Sequence, residues 1–482
     1  MVKNMEKVKN FFNKKNVINI VILILFIILA TIISLKHEYW ADEANTWLIA
    51  RDSTITSLLT KYSAVDGHPF LFFIILKFFQ LLGLNYNNLH FVSLIFSSLG
   101  VAIFLFKSNF KWYIKYLIPF TFFIFYQYTV ISRSYCLLLL LLSLLASIWE
   151  KRDQHYIFFT VLLILLTNLE IYTMLIAGSI YFLELVSFFK DYKTNKKRKK
   201  TIIYLIILFL SFIFTTIYMF PRNHIATTLT PKDLSIADAF FYSSSYPHFL
   251  FIISIIAIFG IIIYTYLKQN QKKELLEAAI IFAPSYLFFT FLYANYWHSG
   301  IIFIIVLFLS WIHQLNKNKV FTVFLFLTCL VQIYWSISSS YKDYKYTYCP
   351  SREVANYIKE FNYEDLNIYA KHYTNVAVNA YFKHNIFELY YNDLAFYYIS
   401  YDNPAIKFSY DLEDIIKINP DIFIAAYSSN EEDIQKGQEK YKLLEKKYAI
   451  KSFHGKAFFK DEIIKIFEYD VYVKRELIKN KT

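Results

Sequence analysis

Residues 68–84 read "HPFLFFIILKFFQLLGL", and the side of a membrane on which this stretch rests fixes the topology of everything after it. It is 17 residues long and carries Lys77 and Gln80 near its centre. A helix that crosses a bilayer needs about 20 mostly apolar residues. Around this stretch lie eleven apolar runs, at roughly 17–36, 89–106, 116–131, 134–149, 156–168, 172–188, 201–219, 248–267, 275–293, 298–312 and 320–338. The chain of 482 residues is 57% hydrophobic and 21% aromatic, with only 8 Gly. Its mean hydropathy is +0.36. Soluble domains are about 45–50% apolar, so this is the composition of a polytopic α-helical membrane protein.

The basic residues decide between the two topologies, because cytoplasmic loops are enriched in Lys and Arg. If 68–84 lies along the outer interface, the segments 1–16, 107–115, 150–155, 190–200, 268–274 and 313–319 face inward. They hold 5, 3, 2, 7, 3 and 2 Lys and Arg, 22 in all, against 6 in the outer loops before the tail. If 68–84 spans, every later loop flips, "KDYKTNKKRKK" lands outside, and the count becomes 8 inside and 19 outside. The interfacial placement is therefore expected. It gives a cytoplasmic N-terminus, about eleven spans over residues 1–339, and one long outer loop, 37–88, holding an interfacial helix at 68–84.

The same pattern explains the net charge of +13 without nucleic acid, since the lysines cluster between apolar segments. Cys136 and Cys329 lie in apolar runs and Cys349 stands alone, so neither a disulfide framework nor a metal site is expected. The run 17–35 is too long for a signal-peptide core and lacks a small-residue cleavage site, which reads as a first span. After about residue 340 the character changes. "EVANYIKEF", "NIYAKHY", "DIFIAAY", "EEDIQKGQEKYKLLEKKY" and "IIKIFEYDVYVKR" mix apolar strands with polar helices, as in a small soluble α/β domain over 340–482 on the outer side.

With this topology a cluster of polar groups gathers at the outer face: His37, Asp42, Glu43, Asn45, Asp66, His68, Lys77, Arg133, Glu170, Arg222, His224 and His298. Ionisable groups near membrane depth are costly and mark substrate or ion pathways. Paired carboxylates such as Asp42 and Glu43 can divide the work of a general base and an orienting group.

"ADEANTWLIARDSTITSLLTKYSAVDGHPFLFFIILKFF" (41–79) resembles the first outer loop of the GT-C superfamily of polyprenyl-phosphate-dependent glycosyltransferases. The similarity is greatest to the branch of protein O-mannosyltransferases and the lipid A aminoarabinose transferase. That branch shows an acidic pair after the first helix, here Asp42-Glu43, and an Asp-x-His-Pro segment opening an interfacial helix, here Asp66 to Leu71. "SRSYCLLLLLL" (132–142) is similar to its Arg-x-Tyr at the outer end of the third helix, and "TNLEIYTMLI" (167–176) is a weaker third likeness. The second proline of the His-Pro-Pro segment is replaced by Phe70, and "NYWHSG" stands where many relatives place an arginine.

The resemblance implies a GT-C-like fold and transfer of a sugar from a polyprenyl-phosphate donor to a lipid, glycan or protein acceptor at the outer face of the cytoplasmic membrane. It implies Asp42 as base with Glu43 orienting it or the acceptor, or the reverse. Arg133 offers the bidentate fork that suits a phosphate, with His68, Asp66, Tyr135, Lys77 and His298 as further donor or substrate contacts. The plainer roles are snorkelling for Lys77 and an interfacial belt for Trp40 and Trp47, which are favoured over substrate contact, and helix capping beside Pro69 for His68, which is not. Inversion at the anomeric carbon is the family habit. No cofactor is required; Asp42, Glu43 and Asp66 are able to ligate a divalent metal, but none is expected. The competing class is a transporter or flippase of a lipid-linked sugar, which favours internal repeats and Gly- or Pro-broken helices; the chain has no evident repeat. A membrane scaffold with idle carboxylates is a third reading, in which Asp42→Asn is silent.

Overall fold

The structure, a computed structural model, describes residues 14–62, 64, 66–190, 198–220, 246–291, 295–371, 375–388, 412–459 and 462–479. Arg222 and His224 lie outside the described residues. Among the described residues, seven helices are long and apolar enough to cross a membrane. They include α1 (Lys14–Ser34), which shows why lipid is the solvent. Val21, Ile24, Ile28 and Ile32 recur at helical spacing and are each about half exposed, between 45% and 56%. Such a continuous apolar stripe does not face water in a soluble protein. The protein is membrane-embedded.

The other expected spans depart from regular long helices for local reasons. The run 116–131 holds Pro119 in a 3-10 turn, then a π-helix, Phe123–Val130, and it ends in extended backbone at Ile131–Arg133. α6 (Tyr156–Thr167) has 12 residues. α10 (Lys272–Phe291) carries Pro284 within it. α11 (Ser299–Ile312) is 14 residues long, and every one of them is buried. A helix apolar on all sides belongs at the centre of a bundle, and Gly300 shows how close its neighbours come. A Cβ there would stand 2.5 Å from a ring carbon of Phe123 and 2.5 Å from the Tyr128 hydroxyl.

The stretch 68–84 forms only an 11-residue helix, α3 (Leu71–Leu81). At 1.5 Å per residue that is about 16 Å, half of a hydrocarbon core of roughly 30 Å. α3 packs along α2 (Ala41–Asp52). The Lys77 ammonium donates to the Arg51 carbonyl at 2.8 Å, and the Gln80 amide donates to the Trp47 carbonyl at 3.1 Å.

The final span, α12 (Lys319–Lys345), opens on Asn318, whose side chain accepts the Val320 and Phe321 N–H groups. It runs past 339, the boundary expected from hydropathy, because Gln332, Ser336, Ser339 and Asp343 form a buried polar stripe that continues the helix. Beyond it, α13 (Ser351–Glu360) buries Val354, Ala355 and Ile358 against a four-stranded mixed sheet. The strands are β1 (Ile368–Lys371), β2 (Ile422–Ser429), β3 (Tyr448–Phe459) and β4 (Glu462–Lys474), in the order β1-β2-β4-β3. β1 and β2 are parallel, with Ile368 opposite Ile422; β4 is antiparallel to both neighbours, with Ile422 opposite Val473.

This tail is docked on the first loop. Arg352 pairs with Glu38 at 3.3 Å, Tyr381 donates to the same carboxylate at 3.3 Å, and Arg51 donates to the Phe382 carbonyl. Trp40 stacks on Tyr348 with ring centroids 5.1 Å apart.

Candidate functional site

α2 is the element that presents the acidic pair, and its first turn separates the two carboxylates completely. Adjacent helical residues point about 100° apart. Asp42 faces solvent, while Glu43 is fully buried. The Glu43 Oε2 accepts the Trp40 N–H at 2.7 Å, closing the helix N-terminus, and also contacts His37 Nε2 at 3.0 Å. Its Oε1 accepts the Ser132 N–H at 2.6 Å. That N–H sits in the extended break after the π-helix, where backbone inside a bundle must find a partner. Glu43 is therefore a structural staple with no oxygen open to a substrate. For the Asp42 carboxylate no hydrogen-bond partner occurs among the described residues.

Arg133 follows directly on that break. Its Nη1 donates to the Asp42 carbonyl and to the Thr46 hydroxyl, each at 2.7 Å, and its Nη2 contacts His68 Nε2 at 2.6 Å. Asp66 lies 3.8 Å from Nη1. Its own carboxylate accepts from the Asn45 amide at 2.8 Å and from Thr46 at 3.3 Å. A guanidinium has five N–H donors, so the Nε–H and the second Nη2 hydrogen have no partner among the described residues. Surrounding carboxylates hold the Arg133 pKa above its ordinary value even though burial, the largest influence, works the other way.

The turn that assembles this cluster is "DGH". Gly67 has φ +78°, in the left-handed region that glycine enters without strain. Its N–H returns to the Ala64 carbonyl at 3.1 Å, which sets Asp66 and His68 on the same side of Arg133. His68 Nδ1 meets Glu170 at 2.7 Å, and the second Glu170 oxygen accepts the Ser134 hydroxyl. A guanidinium only donates, so His68 Nε2 accepts from it and Nδ1–H donates to Glu170: the ring is a neutral Nδ1–H tautomer. Burial lowers the His68 pKa, but the Glu170 carboxylate overcomes it and the net direction is upward. The 2.6 Å contact to Arg133 decides the protonation state, and a proton arriving on Nε2 would break it. Burial also raises the Asp66 pKa, against the pull of Arg133.

The other expected residues divide: Tyr135 and His298 lie within electrostatic reach of Arg133, and Lys77 lies apart. Lys77 serves the C-terminal end of α2, about 13 Å along the helix from Asp42 by its rise per residue. Tyr135 stacks on Tyr128 at 5.0 Å and its hydroxyl lies 3.0 Å from His298 Nε2. His298 is buried, and its ring nitrogens are approached by the Asn295 N–H and the Trp297 indole N–H, each at 3.0 Å. N–H donors aimed at an imidazole disfavour its charged form, so His298 organises neighbours rather than offering charge to a phosphate. Trp47 is buried against Tyr86 at 5.7 Å, a packing role.

Four participants do not stand out in the sequence: Thr46, which meets both Arg133 and Asp66, Asp343, 2.8 Å from His37 Nδ1, and the Ser132 backbone and Ser134 side chain. The signal for Asp343 was the 332, 336, 339, 343 periodicity of polar residues in a span. Among the described residues, no group of three or more His, Cys, Asp or Glu is arranged to hold a metal ion. No model of a known protein family matches the chain, and no curated protein matches it.

Proposed function

We propose that the protein is a membrane glycosyltransferase of the GT-C kind, which moves a sugar from a polyprenyl-phosphate donor to an acceptor hydroxyl at the outer face of the cytoplasmic membrane. The observation that carries this reading is a solvent-facing Asp42 carboxylate beside an Arg133 guanidinium held by three contacts, with two N–H donors left over. Asp42 takes the proton of the acceptor hydroxyl. The acceptor oxygen bonds to the anomeric carbon from the face opposite the phosphate. The carbon–oxygen bond to phosphate breaks, and its electron pair leaves with the polyprenyl phosphate. Arg133 meets the charge that develops there, and a prearranged donor of this kind contributes about 3–4 kcal/mol to a transition state.

In this reading the four short or irregular apolar segments also cross, giving eleven spans, and α3 rests on the outer surface. The Glu38–Arg352 and Arg51–Phe382 contacts put the tail on the same side as the first loop, and the count of basic residues supports reading that side as the outer one. Metal is not needed for the steps above.

The test supplies a panel of radiolabelled polyprenyl-phosphate sugars to purified wild type and to Asp42→Asn. Wild type is expected to consume one donor and Asp42→Asn to lose at least about 10²-fold of that rate. Equal consumption by both variants would remove Asp42 as the base. Passage of a donor across vesicles with no product would replace the transferase by a transporter.

A further inference from the structure

The buried side of α2 holds a second cluster that the reaction above does not use. His37 is fully buried and stands between two carboxylates, Asp343 at 2.8 Å on Nδ1 and Glu43 at 3.0 Å on Nε2. Ionised carboxylates only accept hydrogen bonds. Both ring nitrogens therefore carry hydrogen, and His37 is an imidazolium enclosed by the protein. A buried cation is tolerable when it is paired on each side. The ring also faces Tyr39 and Trp40, with centroids at 5.9 and 6.2 Å, and feels Glu38 and His90 through space. The two carboxylates together draw its pKa well above the ordinary histidine value, although burial is the largest single influence and opposes them.

What this cation does follows from the other partners of Glu43. The two N–H groups that Glu43 accepts belong to Trp40, which opens the helix carrying Asp42, and to Ser132, which immediately precedes Arg133. Arg133 in turn donates to the Asp42 carbonyl. Glu43 thus fastens the segment of the base to the segment of the phosphate-binding cation, and His37 holds Glu43 from behind while Asp343 anchors His37 to α12. We propose that His37 and Asp343 are positioning residues for sugar transfer, acting through Glu43 to fix the spacing between Asp42 and Arg133. This rests on the reading of Asp42 and Arg133 given above. Without the imidazolium, Glu43 and Asp343 lose the donor they share, and Glu43 is no longer held against Ser132 and Trp40 from behind.

The experiment uses the full-length protein in lipid nanodiscs with the donor identified by the panel. His37→Gln and Asp343→Ala are expected to lower kcat by about 10²-fold, the scale of a misplacement near 1 Å. The donor KM should stay within about twofold, because Arg133 keeps its own partners. Asp343→Asn keeps the shape and one acceptor, and it should restore most of the rate lost in Asp343→Ala. In wild-type protein labelled with ¹⁵N-histidine, the resonances that disappear in His37→Gln should report two protonated nitrogens at pH 8. Should His37→Gln fail to fold, the two Asp343 variants carry the kinetic test. Wild-type kcat in Asp343→Ala, or a neutral His37 ring, overturns the positioning role even when Asp42→Asn is dead. A wild type that transfers no donor sinks the enzyme reading and this proposal together.

Discussion

His37 and His68 both flank the start of one short helix, and each bridges two charged groups. His37 lies between two carboxylates and must be a cation. His68 lies between a carboxylate and a guanidinium and must be neutral at one nitrogen. The side chain is the same, and the second neighbour alone sets its charge. One ring is locked into the frame of the helix; the other is a hinge pin for the residue that would meet the phosphate. A buried imidazole therefore tells a reader little until both of its partners are known.

The comparison breaks most visibly at Arg133. Arg133→Ala should cut kcat/KM for the donor by about 10³-fold and leave His68 free to take a second proton, whereas Lys in its place should recover only part of the loss because it lacks the fork. Steady-state rates with the labelled donor check this.

Stability separates the two histidines next. Asp343→Ala leaves the His37 imidazolium buried with a single counter-ion, and should cost roughly 3–5 kcal/mol. Glu170→Ala leaves two neutral donors unsatisfied, His68 Nδ1–H and the Ser134 hydroxyl, at roughly 1–3 kcal/mol. Denaturation in matched detergent should rank them in that order; the reverse order would mean His68 is the charged ring.

Acidification sharpens the contrast without mutation. As pH falls through the upward-shifted pKa of His68, its Nε2 gains a proton and the contact to Arg133 is lost, while His37 is already doubly protonated. The ¹⁵N signals of His68 should therefore titrate and those of His37 should not over the same range.

The smallest effect belongs to the clasp between the first loop and the tail. Burial is the largest influence on the Glu38 carboxyl and pushes its pKa up to about 7, against the pull of Arg352 and His37. Its folded value lies above its unfolded one, so the folded state holds the extra proton. The stabilisation is complete below the unfolded value near 4.5 and is lost as pH rises through about 7. Protease cleavage between α12 and α13 should accelerate modestly between pH 6 and 8 in wild type, and Glu38→Gln should flatten that dependence.

Much of the cluster was legible because its residues advertise themselves locally. Asp42 next to Glu43, the Asp-Gly-His turn and Arg133 after a long apolar run each stand out at short range. Which acid faces outward was not legible, since neighbours in a helix exchange roles with a rotation set by packing. The partners of the two histidines were hidden by distance along the chain: Asp343 lies 306 residues from His37, and Glu170 lies 102 from His68. Lys77 looked like a phosphate ligand because it is a cation in the first loop; only the packing of α3 on α2 shows it spent on the Arg51 carbonyl. The π-helix at 123–130 looks like a plain span in the sequence, since its residues are as apolar as those of any other span, and the break after it is satisfied by a hydrogen bond that the Ser132 N–H donates to the distant Glu43 carboxylate.

α11, enclosed on every side, has a consequence for how the protein lives with its bilayer. At 14 residues it measures about 21 Å, well short of a hydrocarbon core, yet it touches no lipid and so incurs no mismatch. Thickening or thinning of the membrane is felt by rim helices such as α1, whose exposed stripe must match it. The axis of the bundle answers only to the shapes of its neighbours, and the residues gathered at the N-terminal end of α11, His298 and Tyr135 among them, inherit that isolation.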